Sequence, residues 1–396
     1  MRIGCILEQR IQVGGGFGQQ LSTIKLLHKY TTEHSVIFYT TMRENVSLLK
    51  TLGISAKYLD AGSLGHKIYA CLCRHKLPYQ LLNRLGLAWA PFERVLHQDK
   101  VDLIYFLSPS WLALSVTHFN YLVTIWDVYH RDSPEFPEVN FNREFEDREY
   151  FLKSVLPKAI AVLVDSPHNK DNMVRRYACD AQRVHVAPFL PAIEENRSGA
   201  KVDVCSKYKI PRPFIFYPAQ FWAHKNHVYI LDGLKVLRDK FHVTMDVVFS
   251  GSDKGNLKFV LDYAKGLGLE GNVHYVGFIP NEDMTAFYQG ATAMVMPTYL
   301  GLTNIPPLEA FALGCPVCYS DLPFMKDQVG QAAFLMDLDN PESLASHLMT
   351  ILNNPKEVRQ KIELGRKTVS GWTDKDYHQV LQEIFNGYAQ KARCWK

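Results

Sequence analysis

At 396 residues the chain is too long for one ordinary hydrophobic core, so two domains are expected. Apolar residues make up 47% and charged residues 21%, the balance of a soluble globular protein. A net charge of +4 leaves no nucleic-acid footprint, and eight scattered cysteines form no secreted disulfide pattern.

The opening MRIGCILEQR holds five apolar residues in a run before Glu8, too few for a signal peptide. No stretch reaches the ~18 uninterrupted apolar residues that a spanning helix needs. A cytoplasmic protein is expected. RIGCIL (2–7) reads as a strand, GGGFG (14–18) as a turn, and QQLSTIKLLHKY as a helix. SVIFYT (35–40) is a second strand. Residues 64–98 mix Lys67, Arg74, Lys76 and Arg84 with Tyr, Leu, Trp and Phe. Such a stretch suits either an anionic membrane surface or a pair of amphipathic helices with one solvated face. VDLIYFL (101–107), YLVTIW (121–126) and IAVLVDS (160–166) follow as strands, each a near-continuous apolar run like those of buried parallel sheets. Strands alternating with helices imply βαβ units.

After VHVAPFLP (184–191) the composition turns polar, and 192–212 reads as a linker. The pattern then restarts with FIFYPA (214–219), VTMDVVFSG (243–251), NVHYVGF (272–278), ATAMVMP (291–297), CPVCYS (315–320) and AAFLM (332–336). The tail from WTDKDY onward reads as a long amphipathic helix capped near Thr373 or Asp374.

Several loops carry residues suited to ligand chemistry. GGGFGQ (14–19), after the first strand, lets backbone approach a phosphate or sugar, although a tight turn explains it too. In FYPAQFWAHKNH (216–227), Lys225 stands between a strand end and a helix, placed to point charge into the cleft at the C-terminal side of a sheet. FSGSDKGN (249–256) is another Gly-Ser loop. VGFIPNEDM (276–284) offers backbone to a nucleobase, with Asn281 as a helix cap. Thr303, Asn304 and Ile305 precede Pro306 and Pro307 at a helix start, where unpaired N–H groups suit a diphosphate. Glu309 in that helix can accept hydrogen bonds from ribose hydroxyls, or simply favour the helix dipole. Cys315 and Cys318 have redox-motif spacing but enter a strand, so they read as core.

Together, GGGFG, TIWDVYHRDSPEFPEV, the VDS–helix unit, FYPAQFWAHKNH, VGFIPNEDMTAFYQGATAMVMPT and NIPPLEAFALGCPV resemble the retaining, nucleotide-sugar-dependent glycosyltransferases of GT-B type. These belong to the large family, glycosyl transferases group 1, that includes bacterial mannosyl-, glucosyl- and rhamnosyltransferases. The resemblance implies an α/β chain of two facing Rossmann-like domains with a C-terminal crossover helix. The N-terminal acceptor-side domain would span 1–195 plus the helix 373–396, and the nucleotide-sugar domain 196–372. It implies that Lys225 binds the donor diphosphate, Glu309 the ribose, and the Asn304–Ile305 backbone the phosphates. Gly15 and Gly16 would approach donor or acceptor, and Asp127 or His130 would line the acceptor side near the reacting carbon. Gln220, Gly251, Phe278 and Thr303 complete the implied donor-binding set. Two positions depart from the family: Gly301 stands where a Glu is common, and Gln220 where an Arg is common.

The implied reaction moves a sugar from a nucleoside-diphosphate sugar to a saccharide or lipid-linked saccharide, in bacterial envelope polysaccharide such as O-antigen or capsule. No cofactor, metal or nucleic acid is implied beyond the donor substrate. Peripheral contact with the inner face of the plasma membrane through 64–98 fits the same reading. The departures at Gly301 and Gln220 leave a non-catalytic nucleotide-sugar-binding partner subunit as an alternative, and a nucleotide-sugar 2-epimerase shares the fold.

Overall fold

The computed structural model describes residues 1–9, 14–61, 65, 68–69, 72, 76–85, 89–191, 203–301 and 303–395. The chain divides into two compact units. Unit 1 comprises Met1–Val128, Arg143–Pro188 and Asp374–Lys396; unit 2 comprises Tyr129–Asn142 and Phe189–Thr373. The segment Tyr129–Asn142 thus folds with unit 2 although unit 1 flanks it in the chain.

Unit 1 holds a seven-stranded sheet built from β1 (Arg2–Leu7), β2 (Ser35–Thr40), β3 (Ala56–Tyr58), β4 (Leu103–Phe106), β5 (Asn120–Thr124), β6 (Ala161–Val164) and β7 (Val184–Val186). Their order is β3-β2-β1-β4-β5-β6-β7, and every pair is parallel. β4 and β6 are buried at every position, because helices cover both faces of a parallel sheet. This is why they appear in the sequence as plain apolar runs. β3 has no such run: it is a three-residue edge strand, AKY, and the periodicity does not reveal it.

GGGFG is not a turn. Its glycines open the helix Gly14–Tyr30 directly. A Cβ on Gly16 would lie 2.6 Å from the Trp126 ring and 3.1 Å from Gln9 Oε1, so only glycine lets this helix start pack so close. The helix Asp374–Ala392 returns to unit 1 and buries Tyr377, Leu381, Ile384, Phe385 and Tyr388 along one stripe. Tyr388 Oη donates to the Asp102 carbonyl at 3.2 Å and accepts from Asn120 Nδ2 at 3.1 Å.

Unit 2 holds β8 (Phe214–Pro218), β9 (Asp246–Ser250), β10 (Val273–Tyr275), β11 (Met294–Met296), β12 (Val317–Ser320) and β13 (Phe334–Met336). The order is β10-β9-β8-β11-β12-β13, again all parallel. Of the polar stretch 192–212, residues 192–202 lie outside those described. The remainder is not irregular: Asp203 caps a short helix, Val204–Tyr208, by accepting from the Cys205 and Ser206 N–H groups, and Val204 is buried in the unit 2 core. Cys315 and Cys318 are free thiols in that core, and burial pushes Cys315 up to about 12 and Cys318 higher still. Among the described residues, no helix is long and apolar enough to cross a membrane.

Candidate active site

An open parallel sheet gathers ligands where its strand order reverses, because the loops leaving the two neighbouring strands diverge and open a crevice. In unit 2 that point lies between β8 and β11. From β8 the chain runs through the helix His227–Phe241 to β9; from β11 it runs through the helix Ile305–Leu313 to β12 on the other side. Lys225 belongs to the first of these loops and Asn304 to the second.

Lys225 ends a single 3-10 turn, Ala223–Lys225, and Asn226 at φ +54° swings the chain into the following helix. Its carbonyl accepts from Tyr217 Oη at 2.9 Å, and its Nζ donates to Asn304 Oδ1 at 3.4 Å. A cation and a helix start therefore meet at the crevice, as an anion would require.

Asn304 is the buried N-cap of the helix Ile305–Leu313. Its Nδ2 donates to the Gly301 carbonyl (3.0 Å) and to Tyr319 Oη (2.6 Å), which leaves Oδ1 directed at Lys225. Gln328 grips the same residue by its main chain. Gln328 Nε2 donates to the Asn304 carbonyl at 2.6 Å, and the Asn304 N–H donates to Gln328 Oε1 at 3.1 Å. Tyr319 Oη closes the ring by donating to Gln328 Oε1 at 3.1 Å. The Asn304 N–H, expected at a phosphate together with that of Ile305, is engaged by Gln328. Pro306 and Pro307 have no N–H, so Ile305 supplies the N–H of the first helical turn, with Thr303 just ahead of the N-cap.

Glu309 lies one turn into that helix. Tyr288 Oη donates to its Oε2 at 2.7 Å. Burial pushes the carboxyl up to about 7, the Tyr288 hydrogen bond working the other way. Gln220 accepts from Trp222 Nε1 at 3.0 Å. Gly251 takes φ +139°, and a Cβ there would stand 2.3 Å from the Ala219 carbonyl oxygen, so the loops after β8 and β9 touch by their backbones. Its N–H donates to the Gly277 carbonyl at 2.9 Å. Phe278, next to Gly277, is 53% exposed. Asn281 is the first residue of the helix Asn281–Gly290 and Pro280 holds the cap position, contrary to the sequence reading. Gly301 takes φ +108°, and a Cβ there would come within 2.7 Å of Asn304 Oδ1. A side chain at 301 would have to displace the Asn304 carboxamide.

The remaining candidates lie elsewhere. Asp127 is in unit 1, in an ion pair with Arg148 of the helix Glu144–Val155. His130 is fully buried in the turn Tyr129–Arg131, which folds with unit 2. Gly16 has its packing role against Trp126, and Gly15 lies beside it in the same helix. At the order reversal of unit 1, between β1 and β4, stands Glu8, which the sequence reading did not single out. Burial pushes its carboxyl up to about 7, with the Ser110 hydroxyl pulling the other way. Among the described residues, no three His, Cys, Asp or Glu side chains converge as a metal site.

Sequence reasoning also missed Tyr319, Gln328 and Glu138. The first two lie in segments read only as strand and helix. One oxygen of Glu138, Oε1, accepts from both the His224 main-chain N–H, at 2.9 Å, and the His224 Nδ1. Burial alone would raise the Glu138 carboxyl, but the His224 hydrogen bonds outweigh it and hold the group below the usual carboxylate range.

Residues 206–368 match the family model described as Glycosyl transferases group 1. The chain carries a group 1 glycosyltransferase domain. That domain contains the whole Lys225–Asn304–Glu309 constellation. The O-antigen chain mannosyltransferase B of Escherichia coli is 24% identical over 283 residues, covering 70% of each chain. The O-antigen chain mannosyltransferase RfbU of Salmonella typhimurium is 24% identical over 280 residues, 65% of this chain and 72% of that protein. HepE of Anabaena, solved in complex with UDP and glucose, superposes with a TM-score of 0.73 at 15% identity, covering 98% of this chain and 100% of that one. WaaG, a glycosyltransferase involved in lipopolysaccharide biosynthesis, gives 0.67 at 14% identity over 97% and 98% of the two chains. The two-sheet architecture is the GT-B fold, and the protein is a glycosyltransferase.

Proposed function

We propose that this group 1 enzyme is a retaining transferase that moves a sugar from a nucleoside-diphosphate sugar to a saccharide or lipid-linked saccharide of bacterial envelope polysaccharide. The observation that carries this reading is the meeting of Lys225 with the helix start at Asn304, at the order reversal of unit 2. Supporting it are the O-antigen mannosyltransferase relatives and a fold neighbour solved with UDP and glucose.

In this reading the diphosphate lies at Lys225 and at the Thr303 and Ile305 N–H groups, and Glu309 accepts from the ribose. The acceptor hydroxyl oxygen attacks the anomeric carbon on the face that the diphosphate leaves. The anomeric C–O bond breaks with its electron pair going to the phosphate oxygen, and that oxygen takes the hydroxyl proton. Negative charge grows on the leaving diphosphate, so fixed positive groups there lower the barrier most. Water exclusion limits hydrolysis of the donor.

We also propose peripheral contact with an anionic membrane through the helix Lys76–Arg84 and its flanks. Leu77, Leu81 and Leu85 recur every four residues and are 78%, 59% and 63% exposed, in a stretch whose sequence also carries basic residues. Lys67 and Arg74 lie outside the described residues.

The test is a panel of GDP-mannose, UDP-glucose, UDP-galactose, UDP-N-acetylglucosamine and dTDP-rhamnose, scored by thermal shift and release of free nucleoside diphosphate. One donor that stabilises the protein and is slowly turned over is the expected result. A panel in which each donor either fails to bind or stays intact, even with extracted lipid-linked acceptors, refutes the proposal.

A further inference from the structure

The segment Tyr129–Asn142 leaves unit 1, folds with unit 2, and returns. Its anchor is Glu138, whose single oxygen Oε1 accepts both the main-chain and the ring N–H of His224. Both side chains are nearly buried, at 5% and 9% exposure. Phe136 packs its ring against His224 (6.1 Å between centroids) and Tyr299 (5.7 Å), and Tyr129 lies 6.0 Å from the His224 ring. The His224 carbonyl in turn accepts from the Tyr299 N–H at 2.9 Å and from Thr298 Oγ1 at 3.3 Å. His224 is therefore tied on one side to the segment and on the other to the loop after β11.

Lys225 is the next residue. Fixing the backbone N–H, the ring and the carbonyl of His224 fixes the direction in which Lys225 leaves the chain. Its Nζ then meets Asn304 on the same β11 loop. A buried carboxylate is costly to desolvate and gives little net stability when paired. Stability alone is thus a weak reason for placing one here.

We propose that Glu138 is a positioning residue for the donor diphosphate, acting through His224 on Lys225. This rests on the reading of Lys225 as the diphosphate cation, and the experiment separates the two. Among the described residues, the charged and titratable groups beside His224 include Glu138, its chain neighbour Lys225, His227 and the phenol of Tyr129.

Calorimetric affinity for UDP and for GDP is measured on the whole protein as wild type, E138A, E138Q, K225A and E138A/K225A. The tighter of the two nucleotides is followed. Removing the cation in K225A is expected to weaken binding about a hundredfold, and E138A about tenfold. E138Q keeps an oxygen that accepts both N–H groups and is expected to stay within about threefold of wild type. In the double variant the Glu138 effect is expected to vanish, because residues that act through one another are not additive. A merely structural Glu138 would give additive losses, or none. Additivity, or an E138A affinity equal to wild type while K225A is weakened, overturns the proposal. An unweakened K225A overturns the reading of Lys225 instead, and binding of neither nucleotide to wild type overturns both. Should E138A fail to fold, E138D takes its place in the cycle: it keeps the charge and shortens the reach by one methylene.

Discussion

In the proposed reaction, Lys225 is the residue on which the chemistry turns. If it neutralises charge that grows on the departing diphosphate, Lys225→Ala lowers turnover by about 10²-fold or more, with a smaller effect on acceptor saturation. Steady-state kinetics at saturating acceptor measures this. Glu309 makes a separate expectation, in stability. Its folded pKa of about 7 lies above the unfolded value of 4.5. Below pH 4.5 both states hold the proton and the group costs nothing. As pH rises from there to about 7, the unfolded chain sheds the proton first, so stability falls, and above 7 the loss is constant. The loss is roughly 3 kcal/mol at most. Glu309→Gln keeps an acceptor for Tyr288 and removes the titration, so denaturant melts of the variant and wild type should diverge between pH 5 and 8, the variant being the more stable at the alkaline end. Parallel curves across that range would place the Glu309 carboxyl in water instead.

At the scale of elements, the sequence was legible where burial was two-sided. LIYF and AVLV are read at once as strands because a parallel sheet covered by helices leaves them no polar face. AKY at the sheet edge carries no such signal. GGGFG misleads for a definite reason. Glycine normally ends helices, but here Trp126, more than a hundred residues away, requires a helix start without side chains. The site was legible to the same extent. Lys225, Asn304 and Glu309 each sit in a local pattern of strand end, loop and helix. Gln328, Tyr319 and Glu138 reach the site only through folding, from 24, 15 and 86 residues away from their partners. The helix Lys76–Arg84 carries an expectation of its own. Replacing Leu77, Leu81 and Leu85 together by Asp should abolish sedimentation with vesicles rich in anionic lipid and leave turnover of a soluble acceptor unchanged. Equal sedimentation of variant and wild type would rule this helix out as the anchor.

For the whole molecule, the C-terminal helix Asp374–Ala392 belongs to unit 1 although the chain reaches it from unit 2. Its buried Leu381 is a core residue of the first unit. Leu381→Ala should destabilise that unit by about 2–5 kcal/mol through the cavity it leaves. Hydrogen exchange should quicken across β1 to β7, while affinity for the nucleoside diphosphate proposed to bind unit 2 stays the same. Quickened exchange in β8 to β13 would instead make the two units one cooperative body.

The route of Tyr129–Asn142 also limits how the protein can be taken apart. A fragment of the second unit cut at 189 and 373 would look complete on a sequence diagram. It would nevertheless strand the two N–H groups of His224 without their acceptor and uncover the ring faces that Phe136 shields. A chimera that borrows the second unit from a relative inherits the same debt unless the fourteen residues from Tyr129 to Asn142 travel with it. Modularity in this chain is a property of space and not of sequence order.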